Sequence, residues 1–233
     1  MSKKDYYIIE KNINKIYRNE ATNFLDPTTY KNIIMQLKSI NYKTYYPYQD
    51  SDKVIIYTAN IPKIRLLEII SYDKLSHREI MGSLFGLNIA SELFGDIIII
   101  NNHYYIIIID SIYNLIINNY NMVGSHPIKL KEVPIDLLNN YQRQYQEISV
   151  IVSSIRIDNI ISSIIGTSRE AIKKRFLNDE IVLNYEICHK LNYELKPNDV
   201  FSIRRFGKYK YIGIEKETKK NNYLIKCNKY IDN

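Results

Sequence analysis

The segment from Asp96 to Asp110, DIIIINNHYYIIIID, constrains the fold of this chain more than any other stretch. Two apolar runs flank Asn101-Asn102, and isoleucine and tyrosine both favour strands. Asparagine tolerates the positive φ angles of a tight hairpin turn. A transmembrane helix needs about 20 apolar residues, and this run is shorter and interrupted. The segment therefore predicts two strands, 96–100 and 104–109, buried on at least one face.

The neighbouring residues extend this hairpin into a six-element pattern. Residues 64–70, IRLLEII, predict a strand, and SHREIMGSLFGL predicts a helix in which Ser76 and Glu79 form a capping box. After the hairpin, a helix capped by Asp110 or Ser111 precedes a last strand, PIKLKEV. The order β-α-β-β-α-β is that of ferredoxin-like and RNA-recognition folds.

Two tyrosines of the hairpin raise the question of RNA stacking. RNA-recognition modules stack bases on aromatic residues of a central strand, within a glycine-containing signature. Tyr104 and Tyr105 are the nearest equivalents here, but the glycines are missing. His103, beside the turn, is interpreted as an exposed side chain.

Smaller units flank this middle segment. Towards the amino terminus, a helix at about residues 5–19 precedes a second helix that begins with Asp26 as N-cap and Pro27 at its first position. YKTYYPY and KVIIYTAN predict two short strands. The chain is therefore predicted to be an α+β protein of three units: an amino-terminal unit (1–62), a ferredoxin-like middle domain (63–147) and a carboxyl-terminal domain (148–233).

The carboxyl-terminal domain opens with two helices. SIRIDNIISSIIG places isoleucines at helical spacing, and Gly166 can end that helix. Ser168 can cap the second helix, in which Ile172 and Phe176 would pack against the first. Asn178-Asp179 can supply the left-handed residue that ends it.

Positive charge is concentrated in this last third. Residues 1–149 hold 16 Lys and Arg against 15 Asp and Glu, whereas residues 150–233 hold 16 against 10. A concentrated basic surface is typical of proteins that bind nucleic acid or an anionic membrane. The basic residues do not lie on a membrane-type amphipathic helix with a bulky apolar face, so nucleic acid is favoured.

Specific side chains can be assigned to that surface. Arg169 and Lys173 lie one helical turn apart, beside the Ile172/Phe176 stripe, and A-form RNA is bound mostly through phosphates and 2′-hydroxyls. Lys174 and Arg175 point elsewhere and are interpreted as solvated. The predicted RNA-binding residues are Arg156, Ser168, Arg169, Lys173, Asn184, Arg204, Arg205 and Lys208, with His77 and Arg78 as a secondary contact.

Several motifs resemble one bacterial family. RIDNII, SREA, IVLN and PNDVFSIR resemble the S-four RNA-binding domain. LSHREIMGSLFGLNIASELFGDI, NMVGSHPIKLKEV and IRRFGKYK, with FLDP at residue 24, are similar to segments of the YlmH family. The resemblance covers about residues 22–230.

The resemblance implies a role on the ribosome. Proteins of this family are similar to factors that bind a large ribosomal subunit still holding peptidyl-tRNA, in ribosome-associated quality control. It therefore implies ribosomal RNA and the large subunit as partners, with tRNA as a further contact. Independently, the charged amino terminus has no apolar core of a signal peptide and two cysteines are too few for a disulfide scaffold, which predicts a cytoplasmic protein. We expect a monomer that does not bind membranes. This chain departs from the family at YYPYQDSDK, where a Gly-Gly and Ala-Glu-Arg stretch is usual, and at Ala90-Ser91, where a basic pair is usual.

The alternative is an RNA-modification enzyme or its accessory subunit, because this RNA-binding domain is often fused to pseudouridine synthases and methyltransferases. RID at 156–158 resembles the motif that bears their catalytic aspartate. However, Asp158 is explained by its place in the first turn of a helix, where a carboxylate interacts with the helix dipole. Neither Cys188 nor Cys227 fits a metal spacing, and no phosphate-binding loop stands out. The sequence therefore predicts a non-catalytic protein without cofactor or metal.

Overall fold

The structure, a computed structural model, describes residues 3–37 and 39–231. It divides into two compact units, one ending at Gln142 and the other spanning Arg143–Ile231. About 29% of the chain is helical and 34% is in strands, which confirms the predicted α+β class.

The amino-terminal elements are short. Asp26 caps the second helix through hydrogen bonds that its carboxylate accepts from the backbone N–H groups of Thr28 and Thr29, and Pro27 follows it as predicted. These elements are α1 (Lys3–Tyr17), α2 (Pro27–Ile34), β1 (Lys43–Tyr45) and β2 (Ile55–Tyr57).

The middle sheet has the predicted six-element order. Its elements are β3 (Ile64–Ile70), α3 (His77–Gly86), β4 (Phe94–Ile100), β5 (His103–Ile109), α4 (Tyr113–Asn119), a two-residue hairpin formed by β6 (Met122–Val123) and β7 (His126–Pro127), and β8 (Lys129–Val133). The strands lie in the order β4-β5-β3-β8, and every neighbouring pair is antiparallel. This is the ferredoxin-like arrangement.

Local signals in this sheet are mostly confirmed. Asn101 and Asn102 adopt φ angles of 50° and 63° in the hairpin turn. Ser76 and Glu79 form the capping box. The predicted cap of α4 is wrong, because α4 begins at Tyr113 without a side-chain cap. Asp110 pairs instead with Arg65 of β3.

Both faces of the middle sheet are buried. One face packs Leu67, Ile106 and Ile108 against residues of α3 and α4. The other face packs Tyr105 and Ile107 in a cluster that also contains Phe24, Tyr48 and Leu138. Segments before and after the sheet therefore occupy the face that an RNA-recognition module would offer to bases.

The carboxyl-terminal unit is a six-stranded antiparallel sheet with one layer of helices. Its elements are β9 (Tyr145–Val152), α5 (Ile157–Ile165), α6 (Arg169–Leu177), β10 (Ile181–Leu183), β11 (Glu186–Ile187), β12 (Val200–Ile203), β13 (Gly207–Glu217) and β14 (Tyr223–Tyr230). The strand order is β11-β10-β12-β13-β14-β9.

The helices cover one face of this sheet. Ile160 of α5, Ile172 and Phe176 of α6, and Phe201 and Tyr209 of the sheet belong to one buried cluster. The neighbouring strand residues point to the opposite face, because side chains alternate along a strand.

The helix ends follow the predicted turn residues. Gly166 ends α5 in a left-handed conformation (φ 63°), which glycine adopts without steric cost. Asp179 takes the corresponding role after α6, with φ 56°.

Candidate nucleic-acid interface

Helix α6 presents two of its four cations, Arg169 and Lys173, on one exposed flank. The Ser168 hydroxyl accepts a hydrogen bond from the backbone N–H of Ala171 and starts the helix, and Ile172 and Phe176 anchor it in the core. Arg169 and Lys173 are exposed, one turn apart beside that anchor. Neither forms an ion pair with another residue in the described part of the chain.

The opposite flank of α6 is used for packing. The Arg175 guanidinium lies 2.6 Å from a carboxylate oxygen of Glu180 and 4.9 Å from the ring centre of Phe206. The prediction that Arg175 is merely solvated is therefore wrong, because the turn that follows β12 folds against it. Lys174 is exposed, as predicted.

That turn carries two further predicted residues. Arg204 and Arg205 are both exposed, and the backbone N–H of Arg204 donates to the carbonyl of Glu180. Arg205 has a φ of 74°, which is uncommon for a residue with a long side chain. Through Glu180 and Phe206, the turn lies next to the Arg175 flank of α6, away from Arg169 and Lys173.

Lys208 lies on the sheet face opposite the helices. Its Nζ is 4.6 Å from the ring centre of Tyr185 and 4.5 Å from that of Tyr230, and it donates to the Tyr185 hydroxyl. The aromatic contacts were not predicted, because Tyr185 and Tyr230 are far from Lys208 in sequence and tyrosine is abundant throughout the chain.

Asn184 has an evident structural role. Its side-chain amide donates to Asp199 at 2.8 Å, and its Oδ1 accepts from the backbone N–H of Val200 at 2.9 Å. Its φ of 48° also fits the turn between β10 and β11. These bonds fix the end of β10 against β12, so RNA contact by Asn184 stays a prediction.

Arg156 lies apart from the α6 cations. It begins α5, whose nine residues span about 13 Å, whereas Arg169 follows the other end of that helix. Its guanidinium donates to both carboxylate oxygens of Asp158, at 3.1 and 2.6 Å. Asp158 is buried, so the pair holds the start of the helix and neutralises part of the charge of Arg156.

The secondary pair lies in the middle sheet's unit. His77 and Arg78 occupy the first turn of α3, where His77 is partly buried and Arg78 is exposed. Tyr104 and Tyr105, by contrast, are only 3% and 7% exposed, so neither can stack a base. The Tyr104 hydroxyl accepts a hydrogen bond from the backbone N–H of Leu75.

The thiols are unsuited to nucleophilic chemistry. Both cysteines are buried, and burial raises the pKa of Cys227 to about 12 and also raises the pKa of Cys188. A thiol with a raised pKa holds almost no thiolate at neutral pH.

Among residues 3–37 and 39–231, no cluster of His, Cys, Asp or Glu could hold a metal ion.

The predicted residues thus fall into separate groups. Ser168, Arg169 and Lys173 share one exposed flank, and Arg204 and Arg205 share a turn beside the other. The fold and its exposed cations define the class as a basic α+β protein with a nucleic-acid-binding candidate in residues 143–231.

Comparisons with known proteins give this class a family context. Residues 62–137 match a family model described as "Putative RNA-binding domain in YlmH". The chain is 22% identical over 224 residues to "Ribosome-associated protein quality control protein P2" of Bacillus subtilis (strain 168), a match that covers 90% of this chain and 86% of that protein.

A solved structure shares the fold. "Cell division protein ylmH from Streptococcus pneumoniae" is 20% identical, with a TM-score of 0.50, and the match covers 60% of this chain and 97% of that one. The predicted resemblance to the YlmH family is confirmed. The S-four assignment of the carboxyl-terminal unit and its site residues stay predictions. In the described residues, no helix is both long and apolar enough to cross a membrane.

Proposed function

We propose that this chain is a non-catalytic protein that binds RNA of the large ribosomal subunit while that subunit still carries peptidyl-tRNA, in ribosome-associated quality control. The observation that carries the proposal is the exposed flank of α6, where Arg169 and Lys173 stand beside a fully buried anchor. The helix fixes the backbone positions of both cations, so only their side chains need to be ordered when they bind phosphates. The name of the Bacillus subtilis relative supports the ribosomal context, and the description of the matched family model supports RNA binding.

The charge distribution supports the same surface. Residues 150–233 carry 16 Lys and Arg against 10 Asp and Glu. We propose an S-four-type domain for this unit, in a monomeric, cytoplasmic protein that contacts tRNA as well as ribosomal RNA.

Sedimentation of the full chain tests the proposal. The tagged protein from lysate should comigrate with large subunits in a sucrose gradient at low and moderate salt. The Arg169→Ala/Lys173→Ala double variant should shift towards the top of the gradient, because it loses two phosphate contacts. A wild-type protein found only at the top would contradict the proposal.

The non-catalytic part rests on Asp158. Its two carboxylate oxygens accept hydrogen bonds from Arg156, and its side chain is buried. An aspartate held in this way is not placed to attack a base. Asp158→Asn should therefore leave the pseudouridine content of cellular RNA unchanged, and pseudouridine made by the wild type but not by this variant would show that the protein is an enzyme.

A further inference from the structure

The hairpin formed by β13 and β14 extends beyond the helix-covered core. Register shifts lie between Tyr211 and Gly213 and between Ile214 and Lys216. Such β-bulges bend a strand and redirect its side chains. Residues 214–217 and 219–221 are all exposed, and no residue of 214–222 belongs to a buried apolar cluster. We call residues 214–222 the hairpin arm.

The tip of the hairpin arm is ordered by its own hydrogen bonds. The backbone N–H of Thr218 donates to the carbonyl of Asn222 at 2.7 Å, and the backbone N–H of Asn222 donates to the Thr218 hydroxyl at 3.1 Å. Asn221 adopts a φ of 55°, which asparagine tolerates better than most residues. The turn thus displays Lys219 and Lys220 at a fixed place.

Two neighbouring charges of the hairpin arm, Lys216 and Glu217, lie on opposite faces of the sheet. Lys216 lies opposite Leu224, and Leu224 lies opposite Ile151, which is exposed on the sheet face away from α5 and α6. Glu217 lies opposite Tyr223, whose other neighbour, Val152, is in the core under α5. Glu215 lies at the register shift between Ile214 and Lys216, so strand alternation does not determine its side. Lys216 therefore lies on the sheet face away from the helices, and Glu217 lies on the face that carries them.

The lysines of the hairpin arm are not held by ion pairs within the described residues. Lys216, Lys219 and Lys220 form no ion pair there, unlike Lys226 of the same hairpin, which lies 2.9 Å from Glu147. The comparable hairpin of the middle sheet has the neutral tip Asn101-Asn102, so a cationic tip is not a requirement of the turn.

We propose that the hairpin arm is a second RNA-contacting surface, whose lysines bind the backbone phosphates of an RNA segment other than the one that contacts α6. RNA is the favoured partner because the whole carboxyl-terminal third has excess positive charge, and phosphates bind cations without regard to sequence. The second segment follows from the position of Lys216, which faces away from the helix layer. This inference rests on the proposed RNA-binding function.

Matched double variants of the full chain test the inference. Lys219→Gln/Lys220→Gln removes two charges from the arm, and Lys190→Gln/Lys196→Gln removes two exposed lysines elsewhere in the same unit. The probe is a large-subunit ribosomal RNA preparation, bound at several KCl concentrations. Affinity falls with salt, so the slope of log affinity against log salt is negative. The arm variant should reduce the magnitude of this slope by about 1.5, and the control should reduce it by less than about 0.5.

Combination with the α6 variant separates the two surfaces. If the hairpin arm acts independently, the losses of the arm variant and of Arg169→Ala/Lys173→Ala should add. A wild-type slope in the arm variant would overturn the inference and leave the proposed function standing. Equal losses in the arm variant and the lysine control would also overturn it, because the charge would then act only as a diffuse field.

Two other binding results would reject either the proposed function or RNA as the partner of the hairpin arm. No binding of RNA by the wild type would reject the proposed function itself. An arm variant that binds RNA normally but loses affinity for phosphatidylserine vesicles would assign the arm to a membrane and overturn the inference.

Discussion

The two sheets of this protein differ in how the chain covers them. The four-stranded middle sheet has helices on one face and Phe24, Tyr48 and Leu138 on the other, so both faces are buried. The six-stranded carboxyl-terminal sheet has α5 and α6 on one face, while its other face includes the exposed Glu147 and Ile151.

This difference separates fold from function. The middle sheet has the topology of RNA-recognition modules, but its equivalent tyrosines are in the core and bear no base-stacking surface. A shared topology therefore does not transfer a binding mode. RNA binding by the middle unit, which the name of its family model suggests, would have to use side chains at its periphery, such as Arg78.

The largest expected effect is the loss of the α6 anchor. Phe176→Ala should cost about 3–5 kcal/mol of unfolding free energy, because it empties a fully buried site in the core. The Phe176→Ala variant should lose RNA binding only to the extent that its carboxyl-terminal unit is unfolded. Leu177→Ala is the matched control, since the neighbouring Leu177 is 72% exposed. Urea unfolding with equal midpoints for both variants would show that α6 is not anchored as described.

The stability of the compact unit that ends at Gln142 should depend on pH through Lys53. The Lys53 ammonium donates to the carbonyls of Ser91 and Phe94, at 2.6 and 2.8 Å, and burial lowers the pKa of Lys53 to about 8. The unfolded chain, with a lysine pKa near 10.5, holds more protons between these values, so stability rises with pH there.

A comparison with Lys53→Met isolates this effect. Between pH 7 and 9.5, the unfolding free energy of the wild type should rise by about 1–2 kcal/mol relative to the variant. Urea titrations at several pH values measure the difference. Parallel pH profiles would mean that Lys53 is not buried in a charged form at neutral pH.

The smallest expected effect distinguishes two adjacent lysines. Lys173→Ala should lower the salt-dependence slope of RNA binding by about 1, if Lys173 contacts one phosphate. Lys174→Ala removes the same charge from a different side of α6, away from the flank that carries Arg169 and Lys173. It should change the salt dependence of RNA binding little. Equal changes would indicate that α6 meets RNA through a different flank.

The parts that the sequence predicted are those set by neighbours along the chain. The Asn101-Asn102 turn, the capping box at Ser76 and the anchor of α6 each depend on residues within a few positions. The order of the middle strands followed because few topologies suit that element pattern.

The parts that were missed depend on distant residues. Arg175 contacts Phe206, and Asn184 bonds to Asp199, so neither role was visible from local pattern. Asp110 pairs with Arg65 across the middle sheet and is not free to cap α4. Candidate cations could be found from charge alone, but their grouping on separate flanks required the fold.

The central claim is that RNA binding depends on the carboxyl-terminal unit rather than on the middle sheet. Two double variants of the full chain test it with equal charge removed: Arg169→Ala/Lys173→Ala on α6, and Lys129→Ala/Lys131→Ala on the exposed edge strand β8. The measurement is the slope of log affinity for large-subunit RNA against log salt. The α6 variant should make this negative slope shallower by about 1.5–2, and the β8 variant should leave it within about 0.5 of the wild type. A larger loss in the β8 variant than in the α6 variant would contradict the claim.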